Sequence, residues 1–227
     1  MRRCEVPGMS ITVTRLLLCL GAALLSAELI SAAEPAELWF VAGLRHGAGK
    51  DQRADWTFSN KWSEDARGHY ESYLDASLTR TLDPRWALTT SLRFQQEKSA
   101  ALVWRDEIRP AVAATYTHRL PGNWRLGFRQ RFEYRILDRG RDDFWRSRSR
   151  LMLTAPAWGN GWQPYVSEEI FHDHAAGRVN QNRVFLGVQG PLAEKWNAAV
   201  HAGWRSNLRA AGWRHTPVVN LAVTRRL

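Results

Sequence analysis

The sequence predicts an all-β protein, an antiparallel transmembrane up-and-down β-barrel that follows an N-terminal signal peptide. Three observations support this fold class. Apolar and charged residues alternate over long stretches, a tryptophan recurs after successive turns, and the chain begins with a leader typical of exported proteins. Strands in series can cross a membrane when the sheet closes, because closure gives every backbone N–H and C=O group a partner.

The leader covers residues 1–33. Arg15 precedes an apolar run, residues 16–25, and the small residues Ser31 and Ala33 predict cleavage after Ala33. The run is too short for a membrane anchor. Residues 34–227 then form a single barrel domain.

The composition limits the classes of function. Both cysteines, Cys4 and Cys19, lie in the leader, so disulfides and thiol chemistry are excluded for the mature chain. The true start can be either Met1 or Met9. The net charge of +10 is compatible with nucleic-acid binding, but the arginines alternate with aromatic residues along strands and form no basic helix or tail. We therefore expect no nucleic-acid partner, and basic residues at strand ends are expected to contact lipid phosphates.

Alternation is clearest in residues 124–136. Trp124 and Ile136 share one face with the other apolar residues, and Arg125, Arg129 and Glu133 belong to the charged face. This strand is long for a soluble sheet, whereas a tilted membrane crossing needs roughly 9 to 11 residues. A soluble propeller or sandwich with a tryptophan core is the alternative, but it leaves the wholly charged face unexplained.

Ten strands are expected from the same pattern. They are Arg53–Trp62, Tyr70–Leu82, Trp86–Glu97, Leu102–Arg119, Trp124–Ile136, Phe144–Thr154, Trp162–Phe171, Asn182–Gly190, Trp196–Asn207 and His215–Leu227. In the second of these strands, alternation predicts that Tyr70 and Leu74 face outward. Pro110 requires a bulge or a later strand start, because proline cannot donate to the ladder.

The strand number depends on the N-terminal region. Residues 38–46 would be an eleventh strand or a periplasmic lead-in, and an eleventh strand cannot by itself close a barrel of even strand number. The prediction is therefore ten strands, or twelve if the N-terminal region supplies a pair.

Tryptophans mark the ends of successive hairpins. Trp86, Trp124, Trp162 and Trp196 each follow a turn, at spacings of 38, 38 and 34 residues. A tryptophan at the same end of each hairpin is typical of an aromatic girdle at a membrane interface. Short turns at this end and longer polar connections at the other would place the girdle on the periplasmic side. We therefore expect the outer membrane of a Gram-negative bacterium.

The chain resembles an uncharacterised bacterial outer-membrane β-barrel family that is catalogued as a domain of unknown function, DUF2490. The likeness covers roughly residues 100–227 and rests on five segments in order: Arg129–Arg135, Arg146–Leu151, Pro164–Phe171, Asn182–Gly187 and His215–Val223. That family has no established activity. The resemblance therefore implies the fold and the location, and it implies no chemistry.

Inward-facing arginines outnumber the inward-facing acids. The predicted lumen residues are Arg93, Arg109, Arg125, Arg129, Arg131, Arg135, Arg146, Arg148, Arg150, Arg183 and Arg205, with Glu107, Glu133 and Glu169. One interpretation is structural, since an ion-paired lumen can replace an apolar core in a small barrel. The other is a narrow anion-preferring channel, because arginine binds carboxylate and phosphate well.

Two further groups of residues have the composition of an active site or a metal site. Ser206 and His215 flank one connection at neighbouring strand ends and both face outward by parity, which is the contact that nucleophilic catalysis in a lipid-modifying barrel would need. Neither a third member nor the usual local motif accompanies them, so two ordinary loop-end residues are the preferred interpretation. We expect a non-enzymatic barrel, with the lipid-modifying enzyme as the alternative. His172, Asp173 and His174 are suitable ligand types, but neighbouring histidines in a polar loop commonly bind nothing. We expect no metal and no cofactor. The expected partners are outer-membrane lipids, the barrel-assembly machinery during biogenesis and a small anionic solute.

Overall fold

The computed structural model describes residues 36–99, 101–138 and 142–227, so the predicted signal peptide lies outside the described residues. The described part forms one closed β-barrel. Its strands are β1 Glu37–Gly47, β2 Gln52–Ser63, β3 Gly68–Thr81, β4 Trp86–Lys98, β5 Trp104–Arg119, β6 Arg125–Leu137, β7 Phe144–Thr154, β8 Gln163–Asp173, β9 Arg178–Ala193, β10 Trp196–Arg209 and β11 Gly212–Arg226. No helix in these ranges is long and apolar enough to cross a membrane.

The described residues form eleven strands, so the predictions of ten and of twelve are both wrong. The region 38–46, considered as a lead-in, is instead part of the wall. β1 runs in the same direction as β11 and pairs with it in parallel, from Glu37 opposite Val218 to Arg45 opposite Arg226. A parallel seam lets an odd number of strands close. The requirement for an even number holds only when every neighbouring pair is antiparallel, as the other pairs here are.

The two ends of the barrel differ in their connections, and we call them the tryptophan end and the cup end. The tryptophan end has the turns that precede Trp86, Trp124 and Trp196, together with the C-terminus, and the cup end has connections 64–67, 174–177 and 210–211. The expected longer connections at the cup end are not found among the fully described ones. The longest of these is 155–162, which lies at the tryptophan end. Loop length therefore does not orient this barrel.

Alternation determines which side chains enter the lumen, with one exception. Apolar side chains such as Leu74 and Phe94 are about half exposed on the outside, and their charged neighbours along the strand point inward. Tyr70, expected to face outward, is buried inside. The β2–β3 register shifts after Lys61, and this bulge adds one residue and reverses the parity of Tyr70.

Pro110 lies within β5 and does not end it. The β5–β6 register passes from Ile108 opposite Ile136 to Ala111 opposite Glu133 and skips Arg109 and Pro110 without a shift. The missing N–H of the proline therefore interrupts the ladder locally, and neither a bulge nor a later strand start is needed.

Two glycines allow the backbones of β9 and β10 to approach closely. A Cβ atom at Gly203 would lie 1.9 Å from the carbonyl oxygen of Val184, and one at Gly187 would lie 2.4 Å from the Cβ of His201. Glycine at such positions lets neighbouring backbones approach where a small barrel curves. Phe185 of β9 packs against Trp39 and Val218, and the three form a small apolar core inside the lumen.

Candidate functional site

A basic cavity of about 760 Å³ opens at the cup end, and we call it the cup. Its charged lining residues are Lys61, Arg93, Lys98, Arg105, Arg109, Arg135, Arg146, Arg148, Arg183, Arg205, Arg209 and Arg214, with Glu37, Asp65, Glu71, Glu97 and Glu107. Twelve basic side chains thus face five carboxylates. This excess makes the cup a region of positive potential that attracts anions.

Some of the cup arginines are held by a buried glutamate. Glu107 accepts hydrogen bonds at Oε2 from Arg109, at 2.8 Å, and from Arg135, at 2.6 Å. Lys61 forms an ion pair with Glu71 at 2.6 Å, and both side chains are almost completely buried. Charge-assisted bonds of this kind fix the side chains and satisfy part of the buried charge.

Beneath the cup, inward side chains fill the barrel at mid-height. We call this layer the septum, and its buried members are Trp39, Ser59, Asp75, Ala113, Arg131, Glu133, Glu169, Phe171, Phe185 and Val218. Glu133 is fully buried and is paired with Arg146, Arg148 and Arg131. Glu169 accepts bonds from Arg129 at 2.7 Å and from Arg148 at 2.8 Å. The charged members of the septum are therefore linked, through Arg148 of the cup, into one ion-paired network.

A second cavity of about 250 Å³ lies on the other side of the septum, toward the tryptophan end. We call it the inner cavity. Its lining includes Arg125, Arg129 and Arg150, and it shares no residue with the lining of the cup. Along β6, Arg131 and Glu133 separate Arg129 in the inner cavity from Arg135 in the cup. The two cavities are thus divided by side chains.

Arg183 lies between two aromatic rings at the floor of the cup. Its guanidinium carbon is 4.9 Å from the ring centre of Trp39 and 4.6 Å from that of Phe171. Arg148 lies 4.7 Å from the same Phe171 ring, and the Lys61 ammonium lies 4.3 Å from Trp39. Arg183 has no carboxylate partner within the described ranges, in contrast to Lys61 and Arg148. Its charge is stabilised by aromatic faces and remains available to an anion.

All fourteen predicted lumen residues project inside the barrel, but they do not form one site. Eight line the cup, namely Arg93, Arg109, Arg135, Arg146, Arg148, Arg183, Arg205 and Glu107. Arg131, Glu133 and Glu169 belong to the septum, and Arg125, Arg129 and Arg150 line the inner cavity. Arg93 pairs with Asp75 at 2.9 Å, and Arg205 pairs with Glu37.

The comparisons with known proteins identify a family. A family model described as "Protein of unknown function (DUF2490)" matches residues 36–216. The chain belongs to the DUF2490 family. The match begins at β1 and extends into β11, so it covers almost the whole described barrel. No curated protein matches the chain.

Several lumen residues of this DUF2490 protein were not singled out from the sequence. Glu37, Lys61 and Asp75 provide ion pairs, and Trp39 and Phe171 provide ring faces. Parity along β2 and β3 gives the inward direction of Lys61 and Asp75. Parity with Glu169 also gives the inward direction of Phe171, but its residue type carries no signal, because aromatic residues also form the outer surface.

The tryptophans predicted for the girdle lie at the tryptophan end. Trp86, Trp124 and Trp196 are about 40% exposed, whereas Trp162 is half-buried over Gly190 on the outer surface. The Trp86 and Tyr116 ring centres are 5.0 Å apart. Aromatic residues occur near the cup end as well, and exposed examples are Trp62, Trp145 and Trp213.

Ser206 and His215 are in contact on the outer surface near the cup end. They are directly opposite each other on β10 and β11, and the Ser206 Oγ lies 2.7 Å from His215 Nδ1. Asn182 is the cross-strand neighbour of Ser206 on β9, but its side-chain amide donates to Glu168 at 2.7 Å. In the described ranges no carboxylate orients His215, so the pair lacks the third member of a catalytic triad.

The His172-Asp173-His174 segment is occupied by local contacts. The two imidazole rings are 4.8 Å apart, and Asp173 accepts bonds from the Ala176 N–H and from the Asn180 side chain, each at 3.0 Å. Among residues 36–99, 101–138 and 142–227, no group of three histidine, cysteine, aspartate or glutamate side chains is arranged to hold a metal ion.

Proposed function

We propose that this DUF2490 protein is an outer-membrane β-barrel whose lumen is closed by the septum and whose cup binds a small anionic solute. Three features support the proposal: the apolar exterior supports the membrane location, the septum supports a closed lumen, and the cup supports anion binding. The observation that carries it is Arg183, a cation at the floor of the cup that has aromatic neighbours and forms no ion pair with a carboxylate among the described residues.

The exterior is suited to lipid. Side chains such as Leu88, Val112, Phe128 and Leu151 are 43 to 49% exposed along the outer face, and aromatic residues flank this apolar zone at both ends of the barrel. An apolar band between two aromatic girdles is typical of outer-membrane barrels. Outer-membrane lipids and the barrel-assembly machinery are accordingly the proposed partners, and the predicted leader would direct export.

The septum favours a closed barrel over a narrow channel. Phe171 and Glu133 are completely buried between the cup and the inner cavity. An ion crossing the lumen would have to displace ring faces and ion pairs in which Glu133 alone contacts three arginines. An anion-preferring channel remains the alternative interpretation, and it requires a second arrangement of the septum.

The excess charge in the cup supports anion binding. Arg105, Arg183 and Arg209 line the cup and have no carboxylate partner within the part of the chain that the structure describes. Arg183 is half-buried, so holding its uncompensated charge partly away from bulk water is costly, and a bound anion offsets that cost. Arginine forks bind carboxylate and phosphate groups with two parallel hydrogen bonds, so a small solute with several such groups fits the cup best.

The direct test is calorimetric titration of citrate into the detergent-refolded protein at constant ionic strength. Arg183→Gln removes the unpaired charge at the floor of the cup and is expected to weaken citrate binding about tenfold, the equivalent of one charge-assisted hydrogen bond. The matched control is Arg80→Gln, which removes one exposed positive charge from the outer face of β3. Equal citrate affinity in the wild type and Arg183→Gln, or no binding at all, would refute the cup as an anion site.

Planar-bilayer recordings decide between the closed barrel and the channel. The closed barrel is expected to produce no stable conductance steps in reconstituted wild-type protein. Regular anion-selective steps that diminish when Arg129 and Arg148 are replaced would instead establish the channel. Citrate binding in the cup is measured independently, so the two results are interpreted separately.

A lipid-modifying enzyme is the second candidate, and the 2.7 Å contact between Ser206 and His215 is the observation in its favour. In such an enzyme the Ser206 hydroxyl would attack a lipid ester carbonyl while His215 accepts its proton, and the ester C–O bond would break as His215 returns that proton to the departing lipid alcohol. Water would then hydrolyse the acyl-serine and release the fatty acid. The test is release of fatty acid from phospholipid or lipid A by the purified protein. If hydrolysis occurs and Ser206→Ala does not reduce it, or if no hydrolysis occurs, this candidate is rejected.

A further inference from the structure

The inner cavity is a second basic chamber with no carboxylate in its lining. Its polar lining consists of Arg125, Arg129, Arg150, Thr115, Thr117, Thr154 and Gln189. Guanidinium groups, hydroxyls and a carboxamide can all donate hydrogen bonds. At about 250 Å³ the chamber is below the usual range for drug-sized ligands, but it has room for one oxyanion with its remaining water.

Two of its arginines are direct cross-strand neighbours. Arg129 on β6 is opposite Arg150 on β7. Like charges in this position repel each other and destabilise a sheet. Arg129 donates to Glu169, and the second oxygen of Glu169 accepts from Arg148 at 2.8 Å. The nearest acid is therefore shared by two arginines, Arg129 itself and Arg148.

Arg150 itself makes no hydrogen bond and no close ion pair in the described part of the chain, although Glu169 is opposite it across the β7–β8 pair. The Nε of Arg129 is buried and also lacks an acceptor. Arg125 donates to Gln163 at 2.7 Å, which fixes its side chain without neutralising it. The chamber thus has positive charge and free donor groups that its own residues do not satisfy.

Gly127 provides the space for a ligand. It faces the lumen on β6 between Arg125 and Arg129 and lines the inner cavity. A Cβ there would approach only the Met152 carbonyl oxygen, at 3.8 Å. Any larger side chain at this position would extend into the chamber between the two arginines.

We propose that the inner cavity binds a single phosphate-type oxyanion through Arg125, Arg129 and Arg150. Two or more negative charges offset the repulsion between Arg129 and Arg150, and the threonine hydroxyls complete the hydrogen bonding of a tetrahedral group. The site is independent of the cup, because the septum separates the two and no lining residue is shared. Free phosphate and the phosphate of a lipid headgroup share this chemistry.

The test is calorimetric titration of inorganic phosphate at fixed ionic strength into the detergent-refolded Arg183→Gln variant, in which the principal cup arginine is already absent. Phosphate is expected to bind this variant. Addition of Arg150→Gln should weaken that binding at least tenfold, whereas addition of Arg80→Gln on the outer face should leave it unchanged. Loss of phosphate binding in Arg183→Gln alone would show that phosphate binds only the cup and would overturn the inner site.

A second measurement excludes misfolding as the cause. The double variant Arg150→Gln with Arg183→Gln lacks a like-charge contact, so without ligand its melting temperature should equal or exceed that of Arg183→Gln alone. Phosphate should raise the melting temperature of Arg183→Gln and should not raise that of the double variant. If phosphate still stabilises the double variant, the proposal is overturned as well. Titration with short-chain phosphatidic acid then identifies the source. A headgroup site binds it at least as tightly as inorganic phosphate, and a free-phosphate site binds it more weakly.

Discussion

Glu37 and Arg205 form an ion pair inside the barrel, although 168 residues separate them in the chain. Glu37 begins β1 and Arg205 belongs to β10, so their contact spans the parallel seam on the lumen side. The same carboxylate accepts bonds from the Tyr70 hydroxyl at 2.7 Å and from the Trp39 indole N–H at 2.9 Å. One carboxylate thus joins the first, third and tenth strands.

Replacement of Glu37 should destabilise the barrel strongly. Glu37→Gln leaves Arg205 buried without its counter-charge, and removing one partner of a buried pair costs about 3 to 5 kcal/mol. The measurement is urea unfolding of the refolded protein, followed by tryptophan fluorescence. The matched control is Asp65→Asn, which breaks an ion pair with Arg214 whose side chains are 46% and 41% exposed, and it should cost less than about 1 kcal/mol. Equal effects of the two variants would contradict a structural role for Glu37.

The parallel seam predicts a specific cross-link. Ala42 is opposite Val223 in the β1–β11 pair, and adjacent strands bring their Cα atoms within the range that a disulfide spans. Both cysteines of the sequence precede residue 20, so no native thiol in residues 34–227 competes. Under mild oxidation, Ala42→Cys with Val223→Cys should form an intramolecular disulfide, visible as a reductant-sensitive gel shift. The control pair Ala42→Cys with Val219→Cys should form no disulfide, because position 219 is four residues before position 223 on β11, which displaces the second thiol by about 13 Å along the strand. The opposite result would reject eleven-strand closure.

The sequence pattern predicts the β-barrel fold and the inward direction of most lumen residues. A two-residue period determines faces wherever the ladder is regular, so the inward direction of Arg129 and Glu133 follows from the sequence pattern alone. The period fails at Tyr70, since a bulge reverses parity without changing composition. The eleventh strand was missed for a different reason: residues 38–46 have a clear strand pattern, but the rule of even strand number assumes that every neighbouring pair is antiparallel.

The organisation of the lumen into a cup, a septum and an inner cavity could not be predicted. It depends on which inward residues from distant strands reach the same height, and this is set by the stagger of the whole sheet. Arg148 and Arg150 are two positions apart on β7 and share the inward face, yet one lines the cup and the other lines the inner cavity. Alternation determines the face of a residue and leaves its height undetermined.

The close approach of β9 and β10 should tolerate no side chain at Gly203. In Gly203→Ala the new Cβ would lie 1.9 Å from the Val184 oxygen and 2.9 Å from the Phe185 Cα, both of them backbone atoms. Overpacking usually costs about 1 to 3 kcal/mol, and a backbone clash this close should reach or exceed that range. Refolding yield and urea midpoint should both fall. Gly47→Ala is the control, since a Cβ there would meet nothing within 4 Å. If both variants refold with wild-type midpoints, the close approach of the two backbones at Gly203 is refuted.

Truncation of Phe171 should open the septum. Its ring is fully buried and is contacted by the guanidinium groups of Arg146, Arg148 and Arg183 at 4.6 to 5.2 Å. Phe171→Ala removes the apolar surface that keeps these cations apart and leaves a gap beside the cup floor. We expect a stability loss of about 3 to 5 kcal/mol and the appearance of anion-selective conductance in planar bilayers.

Two controls make the Phe171 result interpretable. Phe128→Ala truncates a ring on the outer face that is 43% exposed, and it should leave the bilayer silent. Phe171→Leu largely preserves the volume of the side chain while removing the ring, so it should weaken the packing of the arginines and keep the lumen closed. If Phe171→Ala folds but conducts no better than Phe128→Ala, the ion pairs of Glu133 and Glu169 suffice to close the barrel without the ring. If the wild type conducts as well as Phe171→Ala, the septum is not a barrier and the closed-lumen proposal fails.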